Sequence, residues 1–175
     1  LGLKEFVALA AMLMSLVALA IDAMLPALPM IGEDLGVIVA NDTQLVVSSL
    51  FLGMGIGTLF FGPLSDVLGR KPAIYIGIFL FCTGCLFSGF AKGFDLMLFG
   101  RFLQGLGVAG PRIVTVALVR DEYEGRAMAR IMSLVMTVFM IIPIIAPAIG
   151  QGVMIIAGWK WMFGVLGVAG LLIFL

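Results

Sequence analysis

A chain of 175 residues that is 63% hydrophobic and 11% charged, with a mean hydropathy of +1.26, lies outside the range of water-soluble domains, which carry about a quarter charged residues. Ten Lys and Arg balance ten Asp and Glu, so no net field directs the chain to nucleic acid or to an acidic partner. Histidine is absent, which removes catalytic triads, histidine metal sites and histidine proton relays, and leaves carboxylates as the only route for protons through an all-α membrane protein.

Apolar runs near the length needed to cross a bilayer, about 20 residues, are predicted at 6–31, 43–65, 73–91, 96–119 and 131–153, and a sixth begins at Trp161. The sixth reaches 15 residues at Leu175, short of a full span, and the first residue is Leu1, so the chain is expected to be a piece of a longer protein. In the first run Pro26 and Pro29 each remove a backbone donor and are expected to kink or interrupt the helix, as are Pro143 and Pro147 in the fifth. The first run is too long for a cleavable signal peptide and no small-residue cleavage site follows it. Gly53 and Gly57 in the second run, and Gly105, Gly107 and Gly110 in the fourth, predict close helix packing. Cys82 and Cys85 have the spacing of a redox pair but lie within the apolar stretch 76–90, where a thiolate lacks water and a cation, so they read as packing residues. Met128, Met132, Met136 and Met140 form an i, i+4 stripe that suits ordinary helix packing or, in the functional reading, an adaptable substrate pocket.

Lys4, Arg70, Lys71, Arg120, Arg126 and Arg130 fall on one side of the predicted spans, against Lys92 and Lys160 on the other. Six against two predicts a cytoplasmic N-terminus, with Glu33, Asp34 and Asp42 in the first external loop. Asp22, Arg101 and Arg112 remain inside spans, where each costs about 2.5 to 3.5 kcal/mol at a helix centre. Such charges mark either a structural ion pair or a functional site facing a polar cavity. Arg101 and Arg112 are eleven residues apart, about 1100° of rotation, or three turns plus roughly 20°, and so share a helix face. At about 1.5 Å per residue, Asp22 and Arg101 lie about 14 Å and 9 Å below the external surface and Arg112 about 12 Å from the cytoplasmic one. Either arginine is a candidate partner for Asp22.

The segment Gly62-Pro63-Leu64-Ser65-Asp66-Val67-Leu68-Gly69-Arg70-Lys71-Pro72, between the second and third spans, resembles motif A of the major facilitator superfamily, with Val67 where that family usually has a base. Gly69 is expected to make a tight turn, with Arg70 and Lys71 placing cations near helix C-termini. Arg101, Gln104 and Gly105 in the fourth span resemble motif B, the proton-linked arginine helix, and Pro147 and Gly150, with Pro143 upstream, resemble the antiporter motif C, with Ala146 and Gln151 in place of two of its glycines. Asp22 through Pro29, and Arg120-Asp121 after the fourth span, resemble the Bcr/CflA drug exporters.

This resemblance covers the whole chain and implies the N-terminal, six-helix half of a twelve-helix transporter of the bacterial inner membrane, working by alternating access with the C-terminal half of the same parent chain. It implies proton-coupled efflux of amphipathic small molecules, with Asp22 carrying the proton, Arg101 tuning it, and Gly62, Asp66, Gly69, Arg70 and Lys71 acting in conformational change. Arg112, Met132 and Met136 are the substrate-binding candidates. A transporter of a metabolite such as an organic anion or sugar is the alternative, favoured by Arg112 as an anion selector. A membrane scaffold or half-size assembly unit is the alternative from another class. No cofactor or metal is implied, and no nucleophile stands with a base to make an enzyme.

Overall fold

The computed structural model describes residues 3–174; Leu175, and the side chain of Lys4, lie outside the described residues. Regular structure among the described residues is helical: α1 (Leu3–Asp22), α2 (Leu28–Asp34), α3 (Leu45–Leu68), α4 (Arg70–Gly89), α5 (Phe94–Glu122), α6 (Gly125–Ala157) and α7 (Trp159–Phe174). Five helical stretches, the first combining α1 and α2, are long and apolar enough to cross a membrane, and α7 is a shorter apolar helix.

The two proline pairs behave differently. The first span breaks after Asp22, passes through a single 3-10 turn at Leu25–Ala27, and restarts as α2. Pro26 and Pro29 each sit in the first turn of a new helical piece, where a missing N–H costs no intrahelical bond. Of the two alternatives, kink or interruption, Pro143 and Pro147 do not interrupt the fifth span, and α6 runs unbroken through both. Their i, i+4 spacing places both lost donors on one side of the helix, so the remaining ladder carries the helix through.

Two connections shrink to single residues. Gly69, at φ +94°, joins α3 to α4, and Gly158, at φ +86°, joins α6 to α7; both lie in the left-handed region that other residues rarely adopt.

α5 is the hub of the bundle, packed between α3 and α4. Lipid tails are as apolar as leucine, so association inside a membrane depends on close backbone contact between small residues rather than on a hydrophobic drive. Gly53 packs on Phe102 O and Gly105 on Leu50 O, while a Cβ at Gly57 would stand 2.7 Å from the Cβ of Ala109. On the opposite face a Cβ at Gly77 would stand 2.7 Å from Gly107 O, and one at Gly84 2.6 Å from Gly100 O. α1 lies against α6, and α7 against α4. Only 17% of the apolar window of α6 is buried, against 56% for the first spanning stretch, Glu5–Asp34, and for α5, so α6 offers most of its surface to lipid or to further protein.

Candidate functional site

Asp22 is the last residue of α1 and is half-buried at the helix break. A carboxylate at a helix C-terminus opposes the macrodipole, and among the described residues the Asp22 side chain has no hydrogen bond or ion pair. Neither Arg101 nor Arg112 forms an ion pair with it, so the predicted pairing is not present in this structure.

Arg101 has other partners. Its guanidinium is wholly buried and donates from Nη2 to Ala20 O at 2.9 Å, from Nη1 to Gln104 Oε1 at 2.8 Å and from Nε to Val46 O at 3.3 Å, with Phe163 6.0 Å away across the ring face. Ala20 O is among the last carbonyls of α1, which lack intrahelical donors. Arg101 therefore caps α1 with a cation at its negative end, the favourable charge for that position. Gln104 extends the clamp, donating from Nε2 to Cys85 Sγ on α4 at 2.8 Å. One arginine and one glutamine thus tie α1, α3, α4 and α5 around the break.

The motif C residue Gly150 reaches the same place from α6. A Cβ there would run into Ala23 O, the residue following Asp22, so only glycine lets α6 approach the break this closely. Ala146 is buried one turn before it, and Pro143 and Pro147 are half-buried on the same helix. Asp22, Arg101 and Gly150, separated widely in sequence, converge on one broken helix end.

At the other end of the bundle, Arg70 is held by three groups. Its Nη1 lies 2.7 Å from Asp66 Oδ1 and 2.7 Å from Ser65 Oγ, and its Nε lies 2.9 Å from Asp121 Oδ2 at the end of α5. Asp121, read from sequence only as part of a signature, thus closes the α3–α4 turn onto α5. Lys71 is exposed and forms no ion pair among the described residues. Gly62 has no atom within 4 Å of where a Cβ would lie and faces a cavity of about 630 Å³ between α3 and α5.

Arg112 opens into that cavity. It shares a face with Arg101, as the helical arithmetic requires, but α1, α3 and Phe163 cover Arg101 while Arg112 stays exposed, its polar contact being Met54 Sδ at 3.7 Å. Met132 and Met136 are partly buried against a cluster containing Ala10, Met14 and Val119, joining α6 to α1 and α5. An apolar cavity of about 670 Å³ lies between α1, α6 and α7, with Leu19, Val138, Ile142 and Leu172 in its wall; neither methionine lines it. Trp159 Nε1, at the start of α7, donates to Asp34 Oδ2 at the end of α2 at 2.6 Å, a link between residues 125 positions apart that no local pattern specifies. The sequence signal for it is a tryptophan near a predicted membrane surface, with its N–H in need of an acceptor and acidic residues in a neighbouring loop.

Comparison with known proteins resolves the class. The Major Facilitator Superfamily profile matches residues 10–175. The chain belongs to the major facilitator superfamily. It is 36% identical over 177 residues to the uncharacterized MFS-type transporter YdgK of Bacillus subtilis, covering 98% of this chain and 44% of that protein. It is 34% identical over 173 residues to the multidrug resistance protein MdtL of Salmonella schwarzengrund (98% and 43% covered) and 37% identical over 156 residues to MdtL of Shewanella sp. ANA-3 (88% and 39% covered). The crystal structure of a D-xylose–proton symporter superposes with a TM-score of 0.79 at 16% identity, over 97% of this chain and 45% of that one, which shows the fold. The chain thus spans less than half the length of these relatives. It is an integral-membrane chain of a transporter family, not an enzyme, and its helices make one half of a major facilitator fold.

Proposed function

We propose that the parent protein is a proton-coupled exporter of amphipathic small molecules of the bacterial inner membrane, with a cytoplasmic N-terminus, and that Asp22 carries the coupled proton. The observation that supports this reading is the state of Asp22: an acidic group half-buried within a span, without an ion pair or hydrogen bond among the described residues, at a break gripped by helices on both sides. A free carboxylate can gain or lose a proton without breaking a bond, and its hydration changes when α5 or α6 shifts. Arg101 acts on it through the helix end rather than through direct pairing. The relatives named multidrug resistance protein MdtL support the substrate class, and alternating access follows from a two-halved architecture. Proton release on adding candidate drugs to the purified full-length protein tests this: release is expected from wild type and absent from a folded Asp22→Asn variant. Full release from that variant would assign the proton to another carboxylate.

Transport of an organic anion is the second reading, favoured by Arg112, an exposed cation within a span and without a carboxylate partner among the described residues. The same assay run with organic anions decides between the classes.

A further inference from the structure

We propose that the cavity between α3 and α5 at the Arg70 end is an anion site, in which Arg112 and Arg120 bind the phosphate or carboxylate group of an amphipathic organic anion. The proposal rests on the second reading for the ligand being cargo, whereas the binding itself requires neither transport nor a proton.

Three arginines and two aspartates line this space of about 630 Å³. Both aspartates are already committed, Asp66 at 2.7 Å and Asp121 at 2.9 Å, and both to Arg70. Arg70 is correspondingly saturated, with Ser65 taking a further donor. Arg112 and Arg120 are left over: both are exposed, the first touches a thioether, and the side chain of the second has no hydrogen bond or ion pair among the described residues. A guanidinium presents paired donors matched to a carboxylate or phosphate, and two such groups face this one cavity without a protein carboxylate on either among the described residues.

The spacing defines the ligand further. Arg112 and Arg120 stand eight residues apart on α5, about 12 Å along the axis and roughly 80° apart around it. Ile113, Val116 and Ala117 line the wall between them, and Gly62 leaves the α3 side open. Two cations flanking a short apolar wall fit a molecule that joins an anionic group to a small apolar body. Free inorganic phosphate would satisfy the cations and leave that wall wet. An anionic lipid headgroup presents the same chemistry as a soluble phosphate ester, so the source is decided by experiment.

Full-length protein in phosphatidylcholine nanodiscs, titrated calorimetrically with phenyl phosphate and with benzyl alcohol, tests the site. Phenyl phosphate is expected to bind, benzyl alcohol not, and R112Q and R120Q are each expected to weaken phenyl phosphate at least tenfold, with R112K retaining part of the affinity. Thermal unfolding of each variant establishes that it is folded. If nanodiscs containing phosphatidylglycerol lower the phenyl phosphate affinity tenfold, the natural occupant is a lipid headgroup; an unchanged affinity identifies a soluble anion. Absence of phenyl phosphate binding in the millimolar range, or binding indifferent to both arginines in folded variants, overturns the proposal. With no proton gradient in the assay, that failure leaves the Asp22 reading standing, and failure of the Asp22 test leaves this one.

Discussion

Replacing Arg101 by lysine keeps the charge and removes the fork, and the structure puts a number on the difference. Three separate nitrogens of Arg101 serve Ala20 O, Gln104 Oε1 and Val46 O. Lysine offers one nitrogen. Val46 O, at 3.3 Å, is the weakest of the three contacts and lies in the first turn of α3, where the helix supplies its own donor, so its loss counts for little. The three donors of the lysine ammonium radiate from that single point instead of along the planar fork that Nη1 and Nη2 present, so lysine does not hold both remaining acceptors at good geometry, and an acceptor left buried and unpaired costs about 1 to 3 kcal/mol. Loss of the contact with Phe163 adds about 0.5 to 1 kcal/mol. Arg101→Lys is therefore expected to cost about 1.5 to 4 kcal/mol. Asp22→Asn, in contrast, breaks no side-chain bond among the described residues and removes a charge that opposes the α1 dipole, so it is expected to leave stability unchanged or raise it by up to about 1 kcal/mol. Were Asp22 the true counter-ion of Arg101, its neutralisation would strand a buried cation and cost about 3 to 5 kcal/mol. Thermal unfolding of full-length protein in detergent, for wild type, both single variants and the double variant, closes a thermodynamic cycle. Additive effects are expected. A coupling above about 1 kcal/mol, or a single Asp22→Asn loss equal to that of Arg101→Lys, would refute the assignment of Arg101 to backbone carbonyls.

Asp66→Asn removes an exposed ion pair with Arg70, worth at most about 1 kcal/mol, so transport is expected to fall with little loss of stability or of equilibrium substrate affinity; lost affinity with an unchanged saturated rate contradicts a conformational role. Gly105→Ala drives a Cβ into Leu50 O, with Met54 N at 2.9 Å, and is expected to destabilise by about 1 to 3 kcal/mol, whereas Gly55→Ala, with nothing within 4 Å, should be neutral or slightly stabilising. Equal unfolding temperatures for these two variants count against α5 as the close-packed hub. Single cysteines at positions 34 and 126 test the proposed orientation: an impermeant thiol reagent on intact cells is expected to label the first and spare the second, and the reverse pattern inverts the topology.

The class was legible because a bilayer imposes length and apolarity on each crossing segment, and those constraints are written directly in composition. The glycine steps were legible for a similar reason, since close approach in lipid selects small residues. The partner of Arg101 was not. Matching charges by depth considers carboxylates alone, but a broken helix exposes carbonyls whose position depends on where the break falls, and a buried guanidinium is satisfied by those as well. The proline pairs looked equivalent for want of the same knowledge: Pro26 and Pro29 fall where Asp22 already opposes the helix end, while Pro143 and Pro147 lie mid-helix in α6. The link between Arg70 and Asp121 spans 51 positions and depends on how α5 ends against the α3–α4 turn, which no local pattern encodes.

The break in the first span concentrates unfavourable local choices: a carboxylate at the negative end of α1, two prolines within the next seven residues, and helix-end carbonyls without intrahelical donors. Each is compensated from outside the segment, by the Arg101 cation on Ala20 O and by the bare Gly150 backbone against Ala23 O. A conformation held by its neighbours rather than by its own propensity persists only while those neighbours stay in place. The two neighbours belong to α5 and α6, helices joined by the short segment 123–124. α5 is locked into α3 and α4 by backbone-to-backbone contacts, whereas α6 exposes most of its apolar surface. Relative movement of these two helices therefore acts on the break from both sides, and reaches Asp22 through helix geometry without any ion pair having to form or rupture.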